Sequence, residues 1–109
     1  MGSSRLLSLA VALLLLAGCV SFKAGREFAS PEPSTIVAGK TGKSELRRAF
    51  GEPYEVGLDS GDPTWTWFFA RSGSGEDRSK SLTVRFTADG TVKSYSFSSN
   101  FPDDMQRLK

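Results

Sequence analysis

Hydrophobic and polar residues alternate with a definite period in only part of this chain. Leu46, Ala49 and Phe50 stand at i, i+3 and i+4, with Lys43 and Arg47 on another face, which predicts a helix over residues 43–50. Thr41 is placed to cap its start; Gly51 and Pro53 are placed to stop it. Further on the period changes to two. Trp65, Trp67 and Phe69 alternate with Thr64, Thr66 and Phe68, predicting a strand over residues 64–70. Leu82, Val84 and Phe86 alternate with Ser81, Thr83, Arg85 and Thr87 in a second, half-buried strand. Ala88-Asp89-Gly90 forms a hairpin turn leading into a third strand over residues 91–98. There Val92 is out of phase with Tyr95 and Phe97, which requires either a bulge or aromatics on both faces.

Other stretches are written more weakly. Ser30-Pro31 can open a short helix that includes Ile36 and Val37 and ends at Gly39. Gly57 to Pro63 and Ser72 to Lys80 have loop composition, the second polar and mobile. Pro102-Asp103-Asp104 can start a helical turn, but the tail beyond Asn100 offers little to pack and is expected to fray. The expected fold class is α+β: one or two short N-terminal helices packed on a three-stranded antiparallel β-meander. Leu46 and Phe50 should meet Trp65, Trp67, Leu82, Val84 and Phe86. A bare three-stranded sheet would bury too little to stand alone.

The apolar run from Leu6 to Ala17 follows Arg5 and precedes Gly18-Cys19. A basic start, a short apolar middle and small residues at the cut are the layout of a secretory signal, and the run is too short to span a bilayer. Leu16-Ala17-Gly18-Cys19 resembles a bacterial lipobox, which implies a diacylglyceryl thioether on Cys19 and cleavage before it. Several acyl chains on one residue hold a protein at a membrane without a spanning helix. Position 20 is Val, not the Asp of an inner-membrane retention signal. The expected address is therefore the cell outer membrane, lipid-anchored through Cys19 on the periplasmic face. The chain then divides into a leader at 1–18, a flexible tether at 19–33, a folded domain at 34–99 and a tail at 100–109. In the tether, Phe22 and Phe28 can either dip into the interface or dock on the domain, and Lys23 and Arg26 are candidates for anionic lipid.

Composition narrows the chemistry. Without its leader the chain has about 90 residues, enough for one small domain. Its single cysteine is assigned to lipid, so no internal disulfide is expected. A formal net charge of +2 over 109 residues lacks the dense basic face of a nucleic-acid binder. Histidine, the commonest general base and metal ligand, is absent from the sequence. Gly39-Lys40-Thr41-Gly42-Lys43-Ser44 imitates a phosphate-binding loop twice, but Ser34 and Val37 occupy the positions where that loop needs its first glycine. Asp59, Asp62, Glu76 and Asp77 fall in expected loops, and no nucleophile has a base nearby in sequence. The expectation is a non-catalytic protein with no cofactor, no metal and no nucleic-acid partner.

A lipobox, then Gly39-Lys40-Thr41, Phe50-Gly51-Glu52-Pro53, Thr64-Trp65-Thr66-Trp67-Phe68-Phe69, Leu82-Thr83-Val84-Arg85-Phe86 and Gly90-Thr91-Val92, in that order, resembles the SmpA/OmlA (BamE-like) outer-membrane lipoprotein family. The likeness runs from about Ile36 to Phe97, with Lys40 in place of the family's Met and Phe50 in place of its Leu. It implies a scaffold or accessory subunit of the β-barrel assembly machinery that binds a partner lipoprotein and the barrel, with anionic lipid as a further ligand. Two other readings stay open: a periplasmic protein-binding or inhibitor-like module of the same fold, and a lipid-anchored structural envelope protein without a dedicated partner. Phe68, Tyr95, Phe97 and Phe101 exceed what one core needs and are the candidate partner-binding residues. Alternatively they pack the far sheet face against the tail.

Overall fold

A computed structural model of the chain describes residues 21–109; the leader and Cys19 lie outside them. One antiparallel sheet of five strands dominates: β1 (Phe22–Gly25), β2 (Glu55–Asp59), β3 (Asp62–Gly73), β4 (Glu76–Phe86) and β5 (Val92–Ser99). Two short helices accompany it, α1 (Lys43–Phe50) and α2 (Pro102–Leu108). The expected α+β arrangement, with N-terminal helices on a three-stranded meander, is therefore wrong. The described residues are mostly β, and one of the two helices among them is C-terminal.

Three causes account for the difference. First, residues 30–39 form turns and no helix. Thr35 N–H bonds the Glu32 carbonyl at 2.9 Å, and the Thr41 hydroxyl accepts from Val37 N–H at 2.8 Å. The residue before Pro33 is biased away from helical backbone, so Glu32 and Pro33 favour a turn over a continued helix. Thr41 is thus committed to the preceding turn. The start of α1 is closed instead by Glu45, which accepts from Gly42 N–H at 3.4 Å. Second, residues 22–25 are a strand and not a tether. They pair with residues 69–72 of β3, while β2 pairs with residues 62–66. One edge of β3 is therefore covered by two strands end to end. Third, both polar loops are tight hairpins. Ser60-Gly61 (φ 50° and 88°) and Ser74-Gly75 (φ 53° and 75°) join paired strands through two residues of positive φ, the type I′ geometry that matches strand twist.

The strongest sequence patterns are realised. Trp65, Trp67 and Phe69 of β3 and Leu82, Val84 and Phe86 of β4 are buried on one sheet face, together with Leu46 and Phe50 of α1. Ala49, assigned to the same helix face, is exposed at its margin. Phe28, Ile36 and Val92 complete the core. Phe50 tilts over Trp67 with ring centroids 5.7 Å apart, and Trp65 meets Phe86 edge-on at 5.1 Å. Trp67 donates through Nε1 to the Gly51 carbonyl at 3.0 Å, which ties the stop of α1 to the central strand. The out-of-phase Val92 is explained by a bulge: Arg85 pairs with Ser94 and Phe86 with Val92, leaving Lys93 as the extra residue. Val92, Tyr95 and Phe97 thereby all face the core side.

The tail does not fray. Phe101 lies against Phe69 at 6.2 Å, and α2 is held by Asp104, which is 6% exposed. Asp104 accepts from Ser99 Oγ at 2.7 Å, Ser30 Oγ at 2.8 Å and Arg107 at 3.1 Å. Burial alone would raise its pKa, but those three hydrogen bonds and the nearby Lys80 charge leave it below the ordinary carboxylate value. No helix among the described residues is long and apolar enough to cross a membrane.

Candidate functional site

The four aromatic residues singled out in the sequence do not form one patch. Phe97 and Phe101 pack against the core, Phe97 meeting Phe28 edge-on at 6.5 Å. Tyr95 shares their sheet face through its register with Val84, but it sits on the outermost strand and is 37% exposed. Phe68 points to the opposite face, half-buried beside the exposed Tyr54 at 5.9 Å. That opposite face carries a row of small hydroxyl residues, Thr64 and Thr66 on β3, Ser81 and Thr83 on β4, and Ser94, Ser96 and Ser98 on β5, with Arg85, Asp62 and Asp59 at one end.

The structure exposes a different apolar surface. Val56 and Leu58 of β2 pair with Trp65 and Pro63, so they lie on the core side of the sheet. None of the described residues covers them: Val56 is 67% exposed and Leu58 77%. They extend past the end of the core, where α1 gives way to solvent. Beside them the Trp65 ring is roofed by cations, with the Arg47 guanidinium 4.6 Å and the Lys43 ammonium 5.4 Å from its centroid. Lys43 also stands 5.2 Å from the Phe86 ring. The helix face that carries Lys43 and Arg47 thus lies over the aromatic layer in cation–π contact. Sequence reasoning missed this site because Gly57 to Pro63 was taken for a loop, which placed Leu58 in it and left Val56 unassigned; the alternation of Val56 and Leu58 was the available signal.

Charges frame the same end. Asp62 accepts from Arg85 Nε at 2.7 Å and from Lys93 Nζ at 3.0 Å. The bonds from Lys93 and then Arg85 hold the Asp62 carboxyl below its ordinary pKa. Asp59 adds a longer contact to Arg85 at 3.4 Å. This cluster fixes the β2–β3 hairpin, on which Leu58 sits, to β4 and β5.

At the other end of the core lies a buried polar node. Lys80 is 9% exposed and donates to the Phe28 carbonyl at 2.5 Å and to Ser30 Oγ at 3.1 Å. Its ammonium lies 4.8 Å from the Phe28 ring and 5.2 Å from that of Phe101. Ser30 passes the chain of hydrogen bonds on to Asp104. The Lys80 ammonium, Ser30 hydroxyl and Asp104 carboxylate all bond to protein groups, which makes the node a structural clasp between residues 28–31, β4 and α2.

Among the described residues no cluster of His, Cys, Asp or Glu is arranged to hold a metal ion. The surface that stands out is therefore the uncovered apolar end of the sheet with its cation-roofed tryptophan. Comparison with protein-family models, with curated proteins and with solved structures finds no match to this chain.

Proposed function

We propose that this protein is an outer-membrane lipoprotein acting as a non-catalytic scaffold or accessory subunit in outer-membrane protein assembly or envelope integrity. Val56 and Leu58, left bare on the core side of the sheet, carry the proposal. A small domain without disulfides gains little by leaving two branched apolar side chains in water unless a partner covers them. The lipobox at Cys19 and the order of SmpA/OmlA-like motifs along the sequence supply the address and the class of partner.

The sheet's geometry gives this reading a direction. Phe22 stands three positions after Cys19, a reach of about 10 Å. An acyl anchor on Cys19 therefore holds the β1 end of the sheet at the bilayer surface. Phe22, 66% exposed, stands at that end, as do Lys23 and Arg71, which are paired in register and suited to anionic headgroups. Along β3, Ser72 opposite Phe22 and Pro63 opposite Leu58 are separated by about 30 Å. The bare apolar end thus faces away from the membrane, where a partner in the periplasm can reach it.

A photoreactive amino acid at Leu58, in the lipidated protein in native envelopes, tests the reading. Crosslinks to β-barrel assembly subunits that are missing when the same group is placed at Ser96, on the hydroxyl face, are the expected result. Crosslinks of equal pattern from both positions would remove the partner surface from consideration. The variant Cys19→Ala tests the address: it should appear in the soluble fraction, and retention in the membrane fraction would refute the anchor.

A further inference from the structure

The sheet ends at β5, and the hydrogen bonds show which of its backbone groups point outward. In an antiparallel pair, residues bond alternately to the partner strand and away from it. Asn100 N–H donates to the Ser79 carbonyl on β4 at 3.1 Å. Counting back by twos, Ser98, Ser96 and Ser94 also bond inward, opposite Ser81, Thr83 and Arg85. Tyr95 and Phe97 therefore direct both N–H and C=O off the edge. Val92, in the same phase before the bulge, confirms the count. Its N–H and C=O point outward and are taken up by the Thr41 carbonyl at 2.9 Å and the Gly39 N–H at 2.8 Å. Residues 39–41 thus close the edge at Val92 and leave it open from Tyr95 onward. Among the described residues, none bonds the backbone of Tyr95 or Phe97 from that side.

Edge strands in monomeric proteins are normally blunted by a lysine, a proline or a covering loop. From Ser94 to Ser99 this strand has neither charge nor proline, and its only lysine, Lys93, is drawn to Asp62. Beside the open stretch, on the core side, runs a groove of ≈ 160 Å³ lined by Tyr95 and Phe97 of β5 and by Pro31, Glu32, Pro33 and Leu108. On the other side the row is Ser94, Ser96 and Ser98.

We propose that the β5 edge captures an extended peptide segment of another chain by strand addition, and that this segment alternates apolar and polar side chains. The unpaired amides and carbonyls of Tyr95 and Phe97 are complementary only to another extended backbone. An added strand lies about 4.8 Å out from β5, so every second side chain enters the groove and the rest continue the serine row. A second copy of this chain fits less well. Paired edge to edge, it brings its own Pro31, Pro33 and Leu108 to the same side of the sheet, so that wall meets wall and the groove stays unfilled. This proposal is separate from the partner assigned to Val56 and Leu58 and does not depend on the lipid anchor.

Binding of a fluorescein-labelled synthetic octapeptide of alternating valine and threonine to the full-length chain in detergent micelles, followed by anisotropy, tests the proposal. Three further probes have the same composition: one in scrambled, non-alternating order and two N-methylated on alternate amides in the two possible phases. Expected are saturable binding of the alternating probe, at least about tenfold weaker binding of the scrambled one, and loss of binding for one methylation phase only. Tyr95→Pro should weaken binding at least about tenfold while leaving the melting transition in place, because an outward edge amide has no ladder bond to lose. Tyr95→Val, which keeps the amide, should bind within about threefold of wild type. Equal binding of both methylated probes, or no saturation up to about 1 mM of the alternating probe, would overturn the proposal. So would concentration-dependent dimerisation in sedimentation that Tyr95→Pro abolishes, since the edge would then belong to a second copy.

Discussion

The Lys80 ammonium donates to the Phe28 carbonyl at 2.5 Å, joining two residues 52 positions apart. Sequence reasoning placed one at the end of a mobile loop and the other in a flexible tether. Through Ser30 and Asp104 the same ammonium is linked to α2, so one charge organises the start and the end of the folded chain. Lys80→Met keeps the apolar stem but leaves the Phe28 carbonyl without its donor and removes a charge near Asp104, whose direct ion pair is with Arg107. The expected cost is about 1–3 kcal/mol, as for other orphaned buried polar groups. Asp104→Asn should cost a similar amount. Because both act through one network, the double variant should lose less than the sum of the two in urea unfolding. Strict additivity would mean that the clasp is two independent contacts.

Acid should weaken the same clasp. The folded-state pKa of Asp104 lies below the ordinary 3.8, since the bonds from Ser99, Ser30 and Arg107 outweigh the effect of burial. As pH falls, the unfolded chain takes up this proton first. The stabilisation is therefore complete only at about pH 5 and above, and it is lost as pH falls through 3.8 and then through the folded-state value. Urea midpoints measured at neutral pH and near pH 3 should converge for wild type and Asp104→Asn. A gap that stays constant would show that Asp104 keeps its proton equilibrium unchanged on folding. Asp89 is held at about 2 by bonds from Thr87 and Thr91, but it is exposed in the β4–β5 turn and its titration carries little weight.

The docking of β1 depends on Gly25. A Cβ there would stand 2.2 Å from the Phe68 carbonyl oxygen, and the residue has a φ of +75°. Neither a backbone atom nor a left-handed conformation yields easily, so Gly25→Ala should cost about 1–3 kcal/mol. Because β1 pairs over only four residues, the loss should appear first as local opening. Hydrogen exchange should speed up at residues 22–26 while the amides of β4 stay protected. Gly39→Ala is the control: φ is +81° but the space is open, and only about 1 kcal/mol is expected. Equal exchange at residues 22–26 in both variants would argue against a specific clash at Gly25.

What could be read in advance follows from where side chains alone decide the structure. Trp65, Trp67 and Phe69 alternate with polar neighbours because one face of β3 is buried, and that contrast is present in any single segment. The helix at 43–50 was legible for the same reason, with Gly51 to end it. The phase slip at Val92 was legible too, as either a bulge or aromatics on both faces, and the register shows the bulge at Lys93. In contrast, Arg71 to Lys80 is polar on both faces, so its alternation carries no signal. It is a hairpin because Ser74 and Gly75 both accept positive φ and the strands on either side are already in register. Strand β1 has the same character. Phe22-Lys23-Ala24-Gly25 has no preference of its own and is extended because the free edge of β3 supplies partners. Of the candidate site, Tyr95 and Phe97 were found as aromatics in excess, but their edge position depends on sheet order, which no local pattern encodes. Val56 and Leu58 were hidden in a segment too short and too rich in glycine and aspartate to be told from a loop.

The bare end of the sheet yields the sharpest separation between folding and function. Leu58 is 77% exposed on β2, and its backbone pairs with Pro63, so its side chain contributes little to the core. Leu58→Glu should therefore leave stability within about 0.5 kcal/mol of wild type, the range of surface substitutions away from special features. A buried apolar contact with a partner would be replaced by a desolvated carboxylate, a change that interfaces tolerate poorly. Capture of envelope partners by the lipidated protein should fall at least about tenfold. Arg47→Ala, which uncovers the Trp65 ring without adding charge, should weaken capture less. If Leu58→Glu retains full capture with an unchanged melting transition, the apolar end of the sheet is not where the partner docks. The crosslinking search would then move to the anchor end of the sheet, around Phe22 and Lys23.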